Sequence, residues 1–329
     1  MTNNQPPEWK YHPVRYWRQD QPTGLQNFGD YLTTLFLDDL LVIPATSADA
    51  FHLIGSVISD NKIRATLTEL SIDPEHGQVA YWGCGARDST PLAQWTLDRS
   101  TFFGVRGPLT RDLLGLPSDT PLGDPALLLP LLLPSPSAYH GQTICVTHFH
   151  EQRDPSDIKL HTGVDQVISA AIMPNRDRLR NLISMIAGAS FVLSGALHGA
   201  IVAAAYNVPF AYFDSGYVNL PFKWHDFAAS VGIAGTFATN LREGHSIYRD
   251  ETRPNFRPLP LVPILHNCPF YVVPHFVAQA HRNDCLQQGD SYYNTCTEPS
   301  KLWTQQEVLL EAKSAWLLQA RNRYLDRLL

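Results

Sequence analysis

Residues 190–213, SFVLSGALHGAIVAAAYNVPFAYF, constrain the fold more than any other stretch of this chain. Phe191-Val192-Leu193 is an apolar run short enough for a buried strand, and Ser194-Gly195 breaks it. Residues 196–206 are alanine-rich and apolar on nearly every side, which predicts a buried helix. Asn207 ends that helix, Pro209 forbids its continuation, and residues 210–213 begin another strand. Strand, glycine turn, helix, strand is a parallel crossover. The helix start offers unpaired amides that favour an anion. His198 falls in that first turn, with Gly195 and Gly199 leaving its approach open. A histidine there either donates to a phosphate and moves protons, or packs as a core residue under a loop.

The same alternation runs through the rest of the chain. Residues 14–17, 51–58, 78–82 and 101–105 read as strands in the first half, and 143–147 and 166–172 in the second. Helices are expected at 31–41, 108–114, 176–187 and 222–227. Asp30 is placed to cap the first of these. Alternatively, Asn27, Gly29 and Asp30 form a strand-to-helix loop facing a cleft, and the two readings are compatible. Arg106 sits where a strand end meets the Pro108 helix start, a position suited to an anion clamp. Pro134-Ser135-Pro136-Ser137 reads as a linker. The expected organisation is a loose arm (1–12), a first Rossmann-like domain (13–135), a second carrying the donor site (136–235), and an irregular extension (236–329). That extension ends in a long helix, 303–329, with an apolar stripe.

Composition narrows the function. The 329 residues are 44% hydrophobic and 17% charged, with a net charge of −6, which argues against a nucleic-acid surface. Five cysteines form no CxxC pair and read as reduced thiols in a cytoplasmic protein. MTNNQPPEWK has no apolar core of a secretory leader, and no run is long enough to span a bilayer. His148 and His150 alternate after a strand, but His161 does not complete a known ligand spacing, so no metal is expected.

Several motifs carry a more specific resemblance: NFGDYLT (27–33), VRGPLT (105–110), LGDPALLLP (122–130), VTHFHEQ (146–152), SGALHGAIVAAAYNVPF (194–210), KWHDF (223–227) and NCPF (267–270). In this order they resemble the polysaccharide pyruvyl transferases, and most closely the branch that adds ketal-linked pyruvate to exopolysaccharides. The resemblance covers roughly residues 13–270, and LHGAI is its most specific piece. It implies an α/β, GT-B-like fold of two Rossmann-like domains around a cleft. It also implies phosphoenolpyruvate as donor, a sugar diol on a free or lipid-linked glycan as acceptor, and no cofactor. A place in the cytoplasm follows, with at most peripheral contact at the inner membrane face. Many family members have arginine two residues before the motif histidine; here that position is Ala196. Arg106, Arg15 and Lys223 are the available substitutes.

Forming the ketal needs one proton given and one taken. His198, Asp30 and His148 are the candidates for that work. Arg106, Ser194, Gly195, Gly199, Lys223 and Arg15 are candidates for the donor, and Asn27, Gly29 and Trp224 for the acceptor cleft. Two other readings remain: a nucleotide-sugar glycosyltransferase of the same shape, and an inactive glycan-binding relative.

Overall fold

The computed structural model describes residues 13–17, 24–136 and 141–288. The expected arm and the 303–329 helix lie outside them.

Two parallel sheets organise the molecule. In the first half Ala50–His52, Val79–Tyr81 and Ser100–Phe102 pair in that order. Single parallel bridges extend the layer on both sides, from Val14 to Phe51 and from Val105 to Leu122. The strands are shorter than their sequence runs. Residues 53–59 leave the sheet as a loop that touches the chain after the second strand again through the Gly85 N to Gly55 O hydrogen bond (3.0 Å) and the Ile58–Ala86 bridge. The second sheet has five parallel strands, in the order Phe237–Ala238, Phe210–Phe213, Phe191–Ser194, Thr143–Thr147, Gln166–Ser169. The run at 166–172 divides, and Ala171–Ile172 turns away to pair antiparallel with Gln26–Asn27.

That small pairing docks the NFGD motif on the second half. The helix Phe28–Leu35 starts earlier than its apolar periodicity suggests and passes through a π-helical turn, Phe36–Leu40, into the strand Leu41–Pro44. Phe28, Leu32, Leu35 and Phe36 are fully buried in one apolar cluster with Ile183, Ala200 and Ile201. Burying each such side chain contributes roughly 1.5–3 kcal/mol, so this seam is a large stabilising term. The chain closes it again from the other end: Phe270–Val272 pairs with Leu41–Pro44, and the Trp82 indole N–H donates to Ile264 O (2.9 Å).

The helix Leu197–Ala205 is buried on every side over residues 197–204. It is the central piece of the shared core, as its uninterrupted apolar character requires. Among the described residues no helix is long and apolar enough to cross a membrane.

Candidate active site

In the second sheet the chain enters at Thr143–Thr147, lays Gln166–Ser169 on one side and Phe191–Ser194 on the other. That reversal opens a crevice at the carboxyl ends of the two diverging strands. His148 leaves one strand and Gly195 the other, and Gly195 N donates back to Val146 O (2.8 Å). The helix that follows has Ala196 as its cap and therefore no side-chain acceptor for its first amides.

His198 projects from that first turn and is 9% exposed. Its Nε2 lies 3.5 Å from Oδ2 of Asp124, which is fully buried. The other Asp124 oxygen accepts from Ala126 N (3.0 Å) and caps a short helical turn. Neither Nε2 nor Oδ2 has a hydrogen-bond partner among the described residues, and their 3.5 Å separation is at the loose end of hydrogen-bond reach. The opposite edge of the ring, at Nδ1, rests on Gly29, where a β-carbon would overlap it. Glycine at 29 is thus a requirement of close approach between the two halves.

Asp30 lies beside this imidazole. It is not the helix cap: Asn27 takes that role by accepting from Gly29 N (3.0 Å), one turn earlier than the sequence pattern places it. Asp30 is left in the first turn, and among the described residues its carboxylate has no hydrogen-bond partner. Burial pushes its pKa above the ordinary aspartate value, while His198, Lys223 and Lys62 pull in the opposite direction. Lys223 reaches the same region from the helix Pro221–Ser230, its Nζ donating to Asn219 Oδ1 (3.0 Å). Burial, and then the charge of Arg106, bring its pKa down to about 8. His148 is held at about 4, first by burial and then by Lys223. Its Nδ1 accepts from His150 N (3.2 Å), which leaves Nε2 as the protonated nitrogen of the neutral ring.

Arg106 is fully buried, not a surface charge. Its guanidinium lies over Gly85, where a β-carbon would collide with it. Nη1 donates to Ser56 Oγ (3.0 Å), and Nε lies 3.6 Å from Asp226 Oδ2. Nη2 has no hydrogen-bond partner among the described residues. Asp226 also accepts from Thr110 N (2.9 Å) and Thr110 Oγ1 (2.7 Å), tying the helix Pro221–Ser230 to the helix Pro108–Leu113.

Other sequence candidates lie elsewhere or are occupied. Arg15 forms an ion pair with Glu69 (3.9 Å). The Ser194 hydroxyl donates to Ala196 O (2.6 Å) and shapes the turn. Gly199 packs against Ser194 Oγ and Val146, so its missing side chain serves helix-on-strand packing. Trp224 requires correction as an acceptor-cleft residue. It is 1% exposed, packs on Tyr212 and Phe237, and donates its indole N–H to Asn219 O (3.1 Å), because its helix turns that face onto the sheet. Among the described residues no three histidine, cysteine or acidic side chains are gathered as a metal set.

A family model described as polysaccharide pyruvyl transferase matches residues 9–217. The chain belongs to that family. KWHDF and NCPF lie beyond the matched region. A relative among characterised proteins is the succinoglycan biosynthesis protein ExoV of Rhizobium meliloti (strain 1021), 26% identical over 226 residues. The alignment covers 66% of this chain and 64% of that protein's length.

Within this family member, the structure adds residues that sequence reading did not assign. Asp124 was visible inside LGDPALLLP, but only tertiary structure carries it to His198. Lys62 bears electrostatically on Asp30, and Arg87 on Lys223; both cations come from first-half loops and helix starts. Asp226 was visible in KWHDF, yet nothing in the spacing pairs it with Arg106, 120 positions earlier in the sequence (226 − 106).

Proposed function

We propose that this chain transfers the pyruvyl group of phosphoenolpyruvate to two hydroxyls of one sugar in an exopolysaccharide or its lipid-linked precursor, forming a ketal and releasing phosphate. The observation that carries this reading is the cluster of charged side chains at that end of the sheet. Asp30 and the Asp124–His198 pair meet there, and Lys62, Lys223, Arg87 and Arg106 are arrayed around them. A donor bearing both a carboxylate and a phosphate needs that cationic setting, and the uncapped start of the Leu197–Ala205 helix adds amides to it. Family membership supports the same reaction class, and the likeness to a succinoglycan biosynthesis protein supports a bacterial exopolysaccharide as acceptor. Two parallel sheets, one in each half, support reading the α/β fold as GT-B-like.

The chemistry divides among these residues. Asp30, with its raised pKa, gives a proton to the donor methylene carbon, which becomes the methyl group. The central carbon then accepts the first sugar hydroxyl, whose proton restores Asp30. The second hydroxyl attacks the same carbon as the carbon–oxygen bond to phosphate breaks. His198 takes that hydroxyl's proton and passes it to the departing phosphate. Asp124 orients the imidazole, and the surrounding cations carry the phosphate charge. No cofactor enters this scheme. Work at the cytoplasmic face of the membrane suits a lipid-linked acceptor.

The test is purified protein with phosphoenolpyruvate and a panel of bacterial oligosaccharides. Phosphate release that depends on the glycan, with a matching gain in glycan mass, is expected. Release of nucleotide from a nucleotide-sugar, or glycan binding with no turnover of any donor, overturns the proposal.

A further inference from the structure

Beyond the strand Phe210–Phe213 the chain makes a short loop at the same carboxyl edge as His148 and Gly195. Tyr217 stands at its tip, 60% exposed, and is the exposed large aromatic among the described residues. Isolated exposed apolar groups need no explanation, but this one is held in place at some cost. Its hydroxyl accepts from Asn219 Nδ2 (3.0 Å). Gly216 N donates to Asp214 Oδ1 (2.8 Å), and Gly216 takes a left-handed φ of +89°. Leu220, a bulky residue, is also left-handed at φ +49°, a conformation that strains any residue with a side chain. A loop with only a connecting role has no reason to keep that strain.

The loop is wired to the crevice. Asn219 joins the exposed ring to the site lysine, since its Oδ1 accepts from Lys223 Nζ (3.0 Å) while its Nδ2 serves Tyr217. The His148 ring stands against Tyr217 with centroids 6.0 Å apart and planes at 76°. An aromatic face, held rigid beside a histidine and a lysine, suits a flat ligand with an apolar face and a polar rim. A pyranose ring is such a ligand: its axial C–H bonds lie on the aromatic and its hydroxyls project at the edge. A small dianionic donor is not, because phosphate and carboxylate have no apolar face to stack.

We propose that Tyr217 is the platform on which a pyranose ring of the acceptor stacks, presenting its hydroxyls toward His148 and Lys223. This rests on the pyruvyl-transfer reading of the crevice and takes over the role that the sequence assigned to Trp224.

The experiment uses saturation-transfer NMR on the full chain with methyl β-D-glucopyranoside, methyl β-D-galactopyranoside and a β-linked tetrasaccharide, each with and without phosphoenolpyruvate. Steady-state kinetics are measured on whichever glycan turns over. Tyr217→Ala is expected to weaken glycan saturation and raise the acceptor KM about tenfold, leaving the donor KM unchanged, while Tyr217→Phe stays close to wild type. A thermal melt matching wild type confirms that the alanine variant is folded. Equal saturation and equal acceptor KM in wild type and Tyr217→Ala overturn the platform, as does a change confined to the donor KM. If glycans bind in a Tyr217-dependent way and no phosphoenolpyruvate is consumed, the platform stands and the pyruvyl-transfer reading falls. If none of the glycosides saturates on wild type and none turns over, the platform falls.

Discussion

Two buried carboxylates cross between the halves of this molecule to meet a basic side chain, and they are finished differently. Asp226 is saturated: both oxygens accept from Thr110, and Arg106 lies at 3.6 Å. Asp124 is saturated on one oxygen only, and the other faces His198 Nε2 at 3.5 Å with no further partner among the described residues. The first pair is built as a clamp, with the helix Pro221–Ser230 as the part it holds. The second sets a closely packed imidazole against a single free carboxylate oxygen, beside an aspartate of raised pKa. A buried carboxylate with both oxygens satisfied resists change, whereas one satisfied on a single oxygen retains an atom that a reaction can use. In the proposed reaction the Arg106 corner would set geometry and field, and the His198 corner would move protons.

The largest effect should come from breaking the clamp. Asp226→Ala leaves Arg106 buried without its counter-ion, and a loss of about 3–5 kcal/mol in unfolding free energy is expected from urea melts. A loss below about 1 kcal/mol, the scale of an exposed pair, would make the two corners alike. His198→Ala should act oppositely. Stability should change little, and kcat in the pyruvyl-transfer assay should fall about a hundredfold or more. His198→Gln keeps a hydrogen bond without the proton transfer, so near-normal kcat in that variant would restrict His198 to holding phosphate. Unfolding of the alanine variant would instead make it a core histidine.

Asp124→Asn sharpens the comparison further. Asparagine can still cap Ala126, so the melt should stay close to wild type, while kcat drops roughly tenfold because the imidazole loses its fixed orientation. A stability loss equal to that of Asp226→Ala would mean that both carboxylates are clamps.

The smallest effect is one of pH. Lys223 has its pKa lowered from 10.5 to about 8, so it is cationic through neutral pH and loses its charge as pH rises past about 8. The donor kcat/KM should therefore fall on an alkaline limb near that value, and Lys223→Arg should move the limb upward. For stability the sign is reversed. Between about 8 and 10.5 the unfolded chain still holds this proton and the folded chain does not, so this group's contribution rises with pH. An alkaline limb unchanged in Lys223→Arg would detach Lys223 from the donor.

The regions differ in how far their sequence could be read. Residues 191–213 were legible because their period and composition agree: an apolar run, a glycine break, an alanine helix and a proline stop all argue for one crossover, and the strands and helix fall within a residue of expectation. The NFGD motif was read less well. Asn27 and Asp30 are both good helix caps, and only the pairing of Gln26–Asn27 with Ala171–Ile172 decides which one caps. KWHDF misled in the other direction. A tryptophan near a cleft suggests a sugar shelf, but helical phase turns Trp224 inward and leaves Tyr217, in a loop without periodicity, as the exposed ring.

By itself, then, the sequence determined the local and periodic features: the α/β class, the parallel crossover, the first-turn placement of His198, and a glycine wherever two backbones or a ring must approach closely. These are set by neighbours within a few residues, through hydrogen bonding, propensity and the alternation of apolar positions. Which charge meets which was decided by tertiary structure alone. Asp124 with His198, Asp226 with Arg106, and Lys62 with Asp30 are brought together by the burial of a shared apolar seam. That driving force is non-directional and leaves no mark in the spacing of the polar residues it carries along.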